Sequence, residues 1–166
     1  CCMHLIAAYL TARLLCTPAD TIIHIPDPGE VGMYCLQYDT FRLEVQTETS
    51  MTVMAEGPHC DLRNWKHGYS QLFDITYMVQ PNGSLEMPDL PKAALDVFPA
   101  VSQKEMQDAV RQYCDDFWPP GIEKSKTPHT YPFGVSPSRY IFKLSGTLKN
   151  GQQQTIIFLM QVDMGC

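Results

Sequence analysis

The clearest pattern along the chain lies at positions 41 to 48, where apolar and polar residues alternate as far as Gln46. Alternate side chains of a strand point to opposite faces of the sheet, so this segment predicts a half-buried strand with one wet face. The predicted inner face carries Phe41, Leu43 and Val45, and the predicted outer face carries Arg42, Glu44, Gln46 and Glu48. Residues 33–38 predict a preceding strand. Thr49-Ser50 predicts a turn, after which residues 51–54 pair back as a hairpin.

Similar alternation predicts strands farther along the chain. Residues 73–79 predict a strand, and the turn at residues 81–84 allows residues 85–87 to pair back briefly. Near the C-terminus, an apolar face that includes Tyr140, Phe142, Leu144 and Leu148 precedes Asn150-Gly151, which suits a type I′ hairpin turn. The returning strand is apolar on both faces, which predicts a central strand covered on both sides.

Helical spacing predicts one internal helix over residues 103–118. Ser102 and Glu105 have the spacing of a capping box, and the apolar residues that follow fall on one stripe. Pro119-Pro120-Gly121 ends this helix, and a proline-rich loop is expected to continue to Pro137.

Two interpretations remain open for residues 1–19. Apolar residues at helical spacing, followed by Thr17-Pro18, favour an amphipathic N-terminal helix with Leu5, Ala8, Tyr9, Ala12 and Cys16 on one side. The alternative is the remnant of a secretion signal, which Arg13 and the lack of a preceding basic stretch disfavour.

The element order is helix, strands, helix and hairpin, unlike the regular alternation of a parallel sheet. Residues 1–166 are predicted to form a single globular domain, which is long enough for a real core. The predicted class is α+β. It consists of a mostly antiparallel β-sheet, as a sandwich or partly closed barrel, with an N-terminal helix and one internal helix near 103–118.

The chain contains seven dispersed cysteines, and their spacing indicates the kind of cellular compartment in which the protein resides. None has the close pairing of a zinc site or a Cys-x-x-Cys motif, and dispersed cysteines in a short chain favour disulfides in an oxidising compartment. The alternative is a set of buried free thiols. The disulfide candidates are Cys2, Cys16, Cys35, Cys60, Cys114 and Cys166. Because seven is odd, one sulfur stays unpaired or forms an intermolecular disulfide.

The triplet Asn82-Gly83-Ser84 matches the acceptor pattern for N-linked glycosylation and lies in a predicted turn. Turn chemistry alone also explains these residues. Together with the cysteines, the triplet favours a secreted or extracellular glycoprotein.

Charge and hydropathy argue against nucleic-acid binding and against a membrane-spanning segment. The net charge is −6 and no run of Lys or Arg is present, so nucleic-acid binding is not expected. No apolar stretch reaches the roughly 18 residues of a transmembrane segment.

Candidate chemistry centres on residues 59–67, a polar loop. His59 and Cys60 could form a thiolate–imidazolium pair oriented by Asp61, and a metal site could combine His24, His59, Cys60 and His67. Adjacent residues rarely aim at each other, however, and the spacing is not that of a metal site. We therefore predict no catalytic residues, no metal and no cofactor.

Trp65 is the better functional lead in this loop. A tryptophan flanked by Arg63, Lys66 and His67 resembles an exposed binding hot spot, and the alternative is a loop anchor that tucks into the core.

Two functions follow from these patterns. The first is a secreted, disulfide-stabilised β-rich binding module that recognises a protein surface or an apolar, lipid-like ligand. The alternative is a small enzyme on an α+β scaffold with a pocket over the open sheet face. Inward-pointing polar residues would favour the enzyme, whereas Glu44, Gln46 and Asp74 are predicted to point outward.

Overall fold

The computed structural model describes residues 21–54, 60, 62–74, 79–87, 91–114 and 116–163, with the backbone alone described for 71–74. The described residues form five strands, three α-helices and one 3-10 helix. In chain order these are β1 (Thr21–Ile25), α1 (Gly29–Cys35), β2 (Tyr38–Val53), β3 (His67–Asp74), α2 (Lys92–Leu95), α3 (Gln103–Tyr113), the 3-10 helix (Ile122–Lys124), β4 (Phe133–Leu148) and β5 (Gln153–Gln161). The predicted N-terminal helix lies outside the described residues.

The five strands form one open sheet in the order β1-β5-β4-β2-β3. β1 runs parallel to β5, from Thr21 opposite Ile156 to Ile25 opposite Met160. The sheet is therefore mixed, and it is neither a sandwich nor a barrel. The α+β class is confirmed in this broader form.

β2 and β4 run antiparallel. The amide of Met54, just after the end of β2, donates to the carbonyl of Pro132, just before the start of β4. At the other end, a Cβ on Gly146 would lie 2.1 Å from the carbonyl oxygen of Thr40. The late part of each strand thus lies beside the early part of the other.

The prediction of a strand at residues 33–38 is wrong, because residues 33–35 belong to α1 and β2 begins only at Tyr38. The Gly29 amide donates to Asp27 Oδ1 at the start of the helix. Val31 and Cys35 are four residues apart and are both fully buried, so they lie on one helical face. Apolar residues in so short a segment fit either period, and packing selected the helix.

The predicted hairpin at Thr49-Ser50 is also wrong, since β2 continues through both residues. Their hydroxyl groups have partners inside the fold. Thr49 Oγ1 donates to the Val97 carbonyl, and Ser50 Oγ donates to Ser138 Oγ. These bonds satisfy polar groups that would otherwise favour a turn.

The C-terminal hairpin is confirmed. The Leu148 amide donates to the Gln152 carbonyl and the Gly151 amide donates to the Leu148 carbonyl, so the loop consists of residues 149–151. Gly151 ends this three-residue loop with φ 86°, and the predicted two-residue type I′ turn is wrong. β5 lies between β1 and β4, and the residues from Ile156 to Leu159 are buried on both faces, as predicted. β4 begins at Phe133, so the loop after α3 is shorter than expected.

The chain divides into two compact units, one of residues 1–46, 71–89 and 140–161 and one of residues 47–70, 90–139 and 162–166. In the first unit, α1 and the Val79–Leu85 bridge pack against strand residues. A Cβ on Gly32 would lie 2.0 Å from the Gly83 carbonyl oxygen, so only glycine permits this close approach of α1 to the turn. The buried core residues of the unit are Ile25, Val31, Cys35, Tyr38, Leu43, Val45, Leu85, Phe142, Leu144, Ile156 and Phe158.

In the second unit, α3 packs on the core through Met106, Ala109 and Val110. The predicted capping box is present, with Ser102 and Glu105 exchanging hydrogen bonds. The helix ends at Tyr113, earlier than predicted, with Cys114 as its C-cap. No helix in the described part of the chain is long and apolar enough to cross a membrane.

Candidate functional site

Trp65 lies in a turn that is anchored in the core of the second unit. The Trp65 amide donates to the Leu62 carbonyl at 3.1 Å, and Leu62 is fully buried. The Trp65 ring is half-buried and packs 6.4 Å from the ring centroid of Phe98. One part of the ring therefore belongs to the core and the rest remains accessible.

Lys66 connects this turn to α3. Its Nζ lies 5.2 Å from the Trp65 ring centroid and 2.9 Å from Glu105 Oε1. Hydrogen bonds from the Ser102 amide and then from Lys66 lower the pKa of Glu105 to about 2. Glu105 is therefore ionised at neutral pH, and it both caps the helix and pairs with Lys66.

A disulfide joins Cys60, which precedes this turn, to Cys114 at the end of α3. The Cα atoms are 4.4 Å apart and the residues are 54 positions apart. The prediction of a bridge is confirmed for this pair, and it takes the Cys60 sulfur out of thiolate chemistry.

Cys35, another disulfide candidate, is instead a free thiol in the core. Burial raises its pKa to about 12, so the thiol stays protonated and inert. Cys1, Cys2, Cys16 and Cys166 lie outside the described residues, as do His59 and Asp61.

A polar cluster begins where the turn enters β3, at His67. We call it the Glu48 cluster; it consists of Glu48, Ser50, His67, Ser138 and Arg139. His67 Nδ1 lies 3.1 Å from Glu48 Oε1, and Arg139 Nη1 lies 3.6 Å from Glu48 Oε2. The Glu48 side chain is only 5% exposed, against 30% for His67 and 25% for Arg139. A buried carboxylate therefore lies beneath two basic groups that reach solvent.

Glu48 is ionised in this environment. Burial opposes its ionisation, but hydrogen bonds from His67 and Tyr69 and the charges of His67 and Arg139 outweigh the burial. The pKa of Glu48 consequently lies below its ordinary value.

Two serines complete the cluster, but they do not form a catalytic triad. Ser50 Oγ lies 3.3 Å from His67 Nδ1, the nitrogen that also faces Glu48. A triad places the acid and the nucleophile on opposite nitrogens of the imidazole. Ser50 and Ser138 are also fully buried, so neither hydroxyl can attack an external substrate. The arrangement can orient His67 so that Nε2, on the far side of the ring, faces a ligand.

Two consecutive residues of β4, Ser138 and Arg139, both reach the Glu48 cluster. Ser138 Oγ accepts from Ser50 Oγ at 2.7 Å, and Arg139 approaches the carboxylate of Glu48, which shares a strand face with Ser50. The sequence predicts a loop through Pro137, whereas the structure places Ser138 and Arg139 well inside β4, beside β2.

Gln46 and Glu48 do not lie on a wet outer face, so that prediction from the alternation of β2 is wrong. Their exposed fractions are 7% and 4%. The alternation of β2 was interpreted correctly as a strand, but polar residues on one face do not by themselves show that solvent covers that face. Glu48 is recognised as buried through its contacts with His67 and Arg139. These contacts can be inferred only once β2, β3 and β4 are known to lie side by side.

Two buried polar atoms on β2 have no hydrogen-bond partner, namely Gln46 Oε1 and Thr47 Oγ1. Such atoms are uncommon in native proteins.

The other candidate residues lie outside these clusters. Asn82 is exposed in a turn, and its carboxamide oxygen accepts hydrogen bonds from Ser84. Within the described ranges, no three His, Cys, Asp or Glu side chains are arranged to hold a metal ion.

Comparison of the chain with protein-family models, with curated proteins and with solved structures finds no match.

Proposed function

We propose that the chain is a secreted, disulfide-stabilised binding module that recognises a protein surface through residues 62–67, here called the recognition loop. The observation that carries the proposal is the Cys60–Cys114 bridge, which ties the approach to this loop to α3. Disulfides persist in oxidising compartments, so the bridge supports secretion. Glycosylation at Asn82 belongs to the same proposal.

The recognition loop is held in one conformation by three independent ties. The disulfide precedes it, the Lys66–Glu105 ion pair of 2.9 Å fastens it to the start of α3, and Trp65 packs on Phe98. A loop that is ordered before binding loses less conformational entropy when a partner docks.

The chemistry of the loop suits a protein partner. Tryptophan and arginine are enriched among residues that dominate binding energy, and Trp65 lies beside Arg63, Lys66 and His67. A partner surface with an apolar centre and an acidic rim would complement this group.

Binding of the labelled, oxidised protein to intact cells tests the proposal. Saturable binding that is lost when the cells are treated with protease supports recognition of a protein. Equal binding to bare phosphatidylcholine vesicles would instead indicate a lipid ligand, and the absence of saturable binding would contradict the proposal.

The variant Trp65→Ala is expected to weaken this binding by about 30-fold, the equivalent of a hot spot of about 2 kcal/mol. Trp118→Ala is the matched control, because Trp118 is also half-buried and lies under a basic group, with Arg111 4.7 Å from its ring centroid. If Trp65→Ala is unfolded, Lys66→Glu replaces it as a surface change. Equal losses from the loop and control variants would count against the recognition loop.

A second candidate function is acid–base catalysis at His67, favoured by the Glu48–His67 distance of 3.1 Å. A carboxylate at Nδ1 orients an imidazole whose Nε2 can exchange protons with a substrate. Turnover of simple ester, phosphoester or glycoside substrates, lost in both His67→Gln and Glu48→Gln, would support this function. Turnover that persists in both variants would exclude it for the reaction measured.

A further inference from the structure

We infer that the N-linked glycan proposed for Asn82 covers the exposed side chain of Met33. The inference rests on the proposed secretion of the chain. It concerns a surface of the first unit that the recognition loop does not include.

The acceptor triplet has the accessibility that modification requires. Asn82 and Ser84 are exposed, and Gly83 between them has φ 84° in the turn. Asn82 Oδ1 accepts hydrogen bonds from the Ser84 amide at 3.0 Å and from Ser84 Oγ at 2.9 Å. Because the carboxamide oxygen faces Ser84, Nδ2 is the carboxamide atom left to carry a sugar.

The turn lies directly against Met33 on α1. A Cβ on Gly83 would lie 2.5 Å from Met33 Sδ and 3.0 Å from Leu36 Cδ1, so the turn and the helix touch at these side chains. Met33 is nevertheless 56% exposed, although it is a large apolar residue. A sugar on Asn82 starts one residue from this contact, so the thioether of Met33 lies within reach of its first rings.

The modification requires an oligosaccharide linked to a polyprenyl diphosphate as the co-reactant. Asn82 Nδ2 forms a bond to the anomeric carbon of the first sugar, and the bond from that carbon to the diphosphate oxygen breaks. Nδ2 loses one proton, and the polyprenyl diphosphate leaves with the bonding electron pair. No oxidation or reduction takes place.

Expression of the chain in mammalian cells with a signal peptide fused to its N-terminus tests whether Asn82 is glycosylated. The fusion makes this test independent of how the chain is secreted naturally. The wild-type chain is expected to gain mass that peptide-N-glycosidase removes, leaving Asp at position 82. Asn82→Gln and Ser84→Ala are expected to lose the added mass, whereas Ser84→Thr retains it. An unmodified wild-type chain in the secreted fraction would overturn the inference.

The oxidation of methionine by hydrogen peroxide, followed by peptide mass spectrometry, tests the cover over Met33. Met33 is expected to oxidise several-fold more slowly in the glycosylated protein than after enzymatic removal of the glycan. Met54 is the matched control, because it is 64% exposed and belongs to the other unit. Equal rates at Met33 in the two forms would show that the glycan does not cover it.

Discussion

The Cys60–Cys114 bridge is expected to contribute about 4 kcal/mol to the stability of the chain. The bridged residues are 54 positions apart. In the chain-entropy description, closing a loop of that length removes about 14 cal/mol/K from the unfolded state, or about 4 kcal/mol at 25 °C. This contribution is a large part of the roughly 5–15 kcal/mol that stabilises a typical domain.

Urea unfolding with and without reductant measures this contribution. Tryptophan fluorescence reports on the relevant region, because Trp65 and Trp118 both pack against the core cluster that contains Cys114. The double variant Cys60→Ala/Cys114→Ala removes the bridge permanently. Since Cys114 is 1% exposed, this variant also loses packing. Cys35→Ala is the matched control for that loss, because Cys35 is equally buried but unbridged.

Reductant is expected to lower the free energy of unfolding of the wild-type chain and of Cys35→Ala by about 4 kcal/mol. It should have no further effect on the double variant. If oxidised and reduced wild-type chains unfold at the same urea concentration, the reasoning is refuted. The bridge then does not stabilise the fold by lowering the entropy of the unfolded chain.

Three further predictions concern single side chains. Thr47→Val should raise the free energy of unfolding by about 1 kcal/mol, because it removes a fully buried hydroxyl without a partner; a loss of stability in urea would show that the hydroxyl is satisfied. Glu48→Gln should lower stability by about 2 kcal/mol at pH 7. Because the folded pKa of Glu48 is depressed, its contribution is present above the unfolded pKa of about 4.3 and is lost as pH falls through the folded pKa. The two proteins should therefore converge in acid, and a difference that grows there would contradict the prediction. Ser102→Ala should cost about 1 kcal/mol through loss of the cap in thermal melts, whereas Ser102→Asn, another good cap, should not.

The candidate site was only partly visible in the sequence. Residue type marked Cys60 and Cys114 as two of six disulfide candidates and Trp65 as a lead in a polar loop, but it did not give the Cys60–Cys114 pairing. The Glu48 cluster was not, because Glu48, His67 and Arg139 come from three strands and each alone resembles a surface residue. The hydrogen bonds and charges that keep Glu48 ionised become apparent only when these strands are side by side.

Local signals alone determined the elements that close within a few residues. The capping box of Ser102 and Glu105 starts α3, and Asn150-Gly151 turns the C-terminal hairpin, since both act through backbone groups within a few positions.

Tertiary structure decided everything that depends on distant partners. It made residues 29–35 a helix, carried β2 straight through Thr49-Ser50 and placed β1 parallel to β5. It also buried Glu48 under His67 and Arg139. Short apolar or alternating segments satisfy more than one local conformation, and the choice among them rests on hydrogen bonds and packing with residues far along the chain.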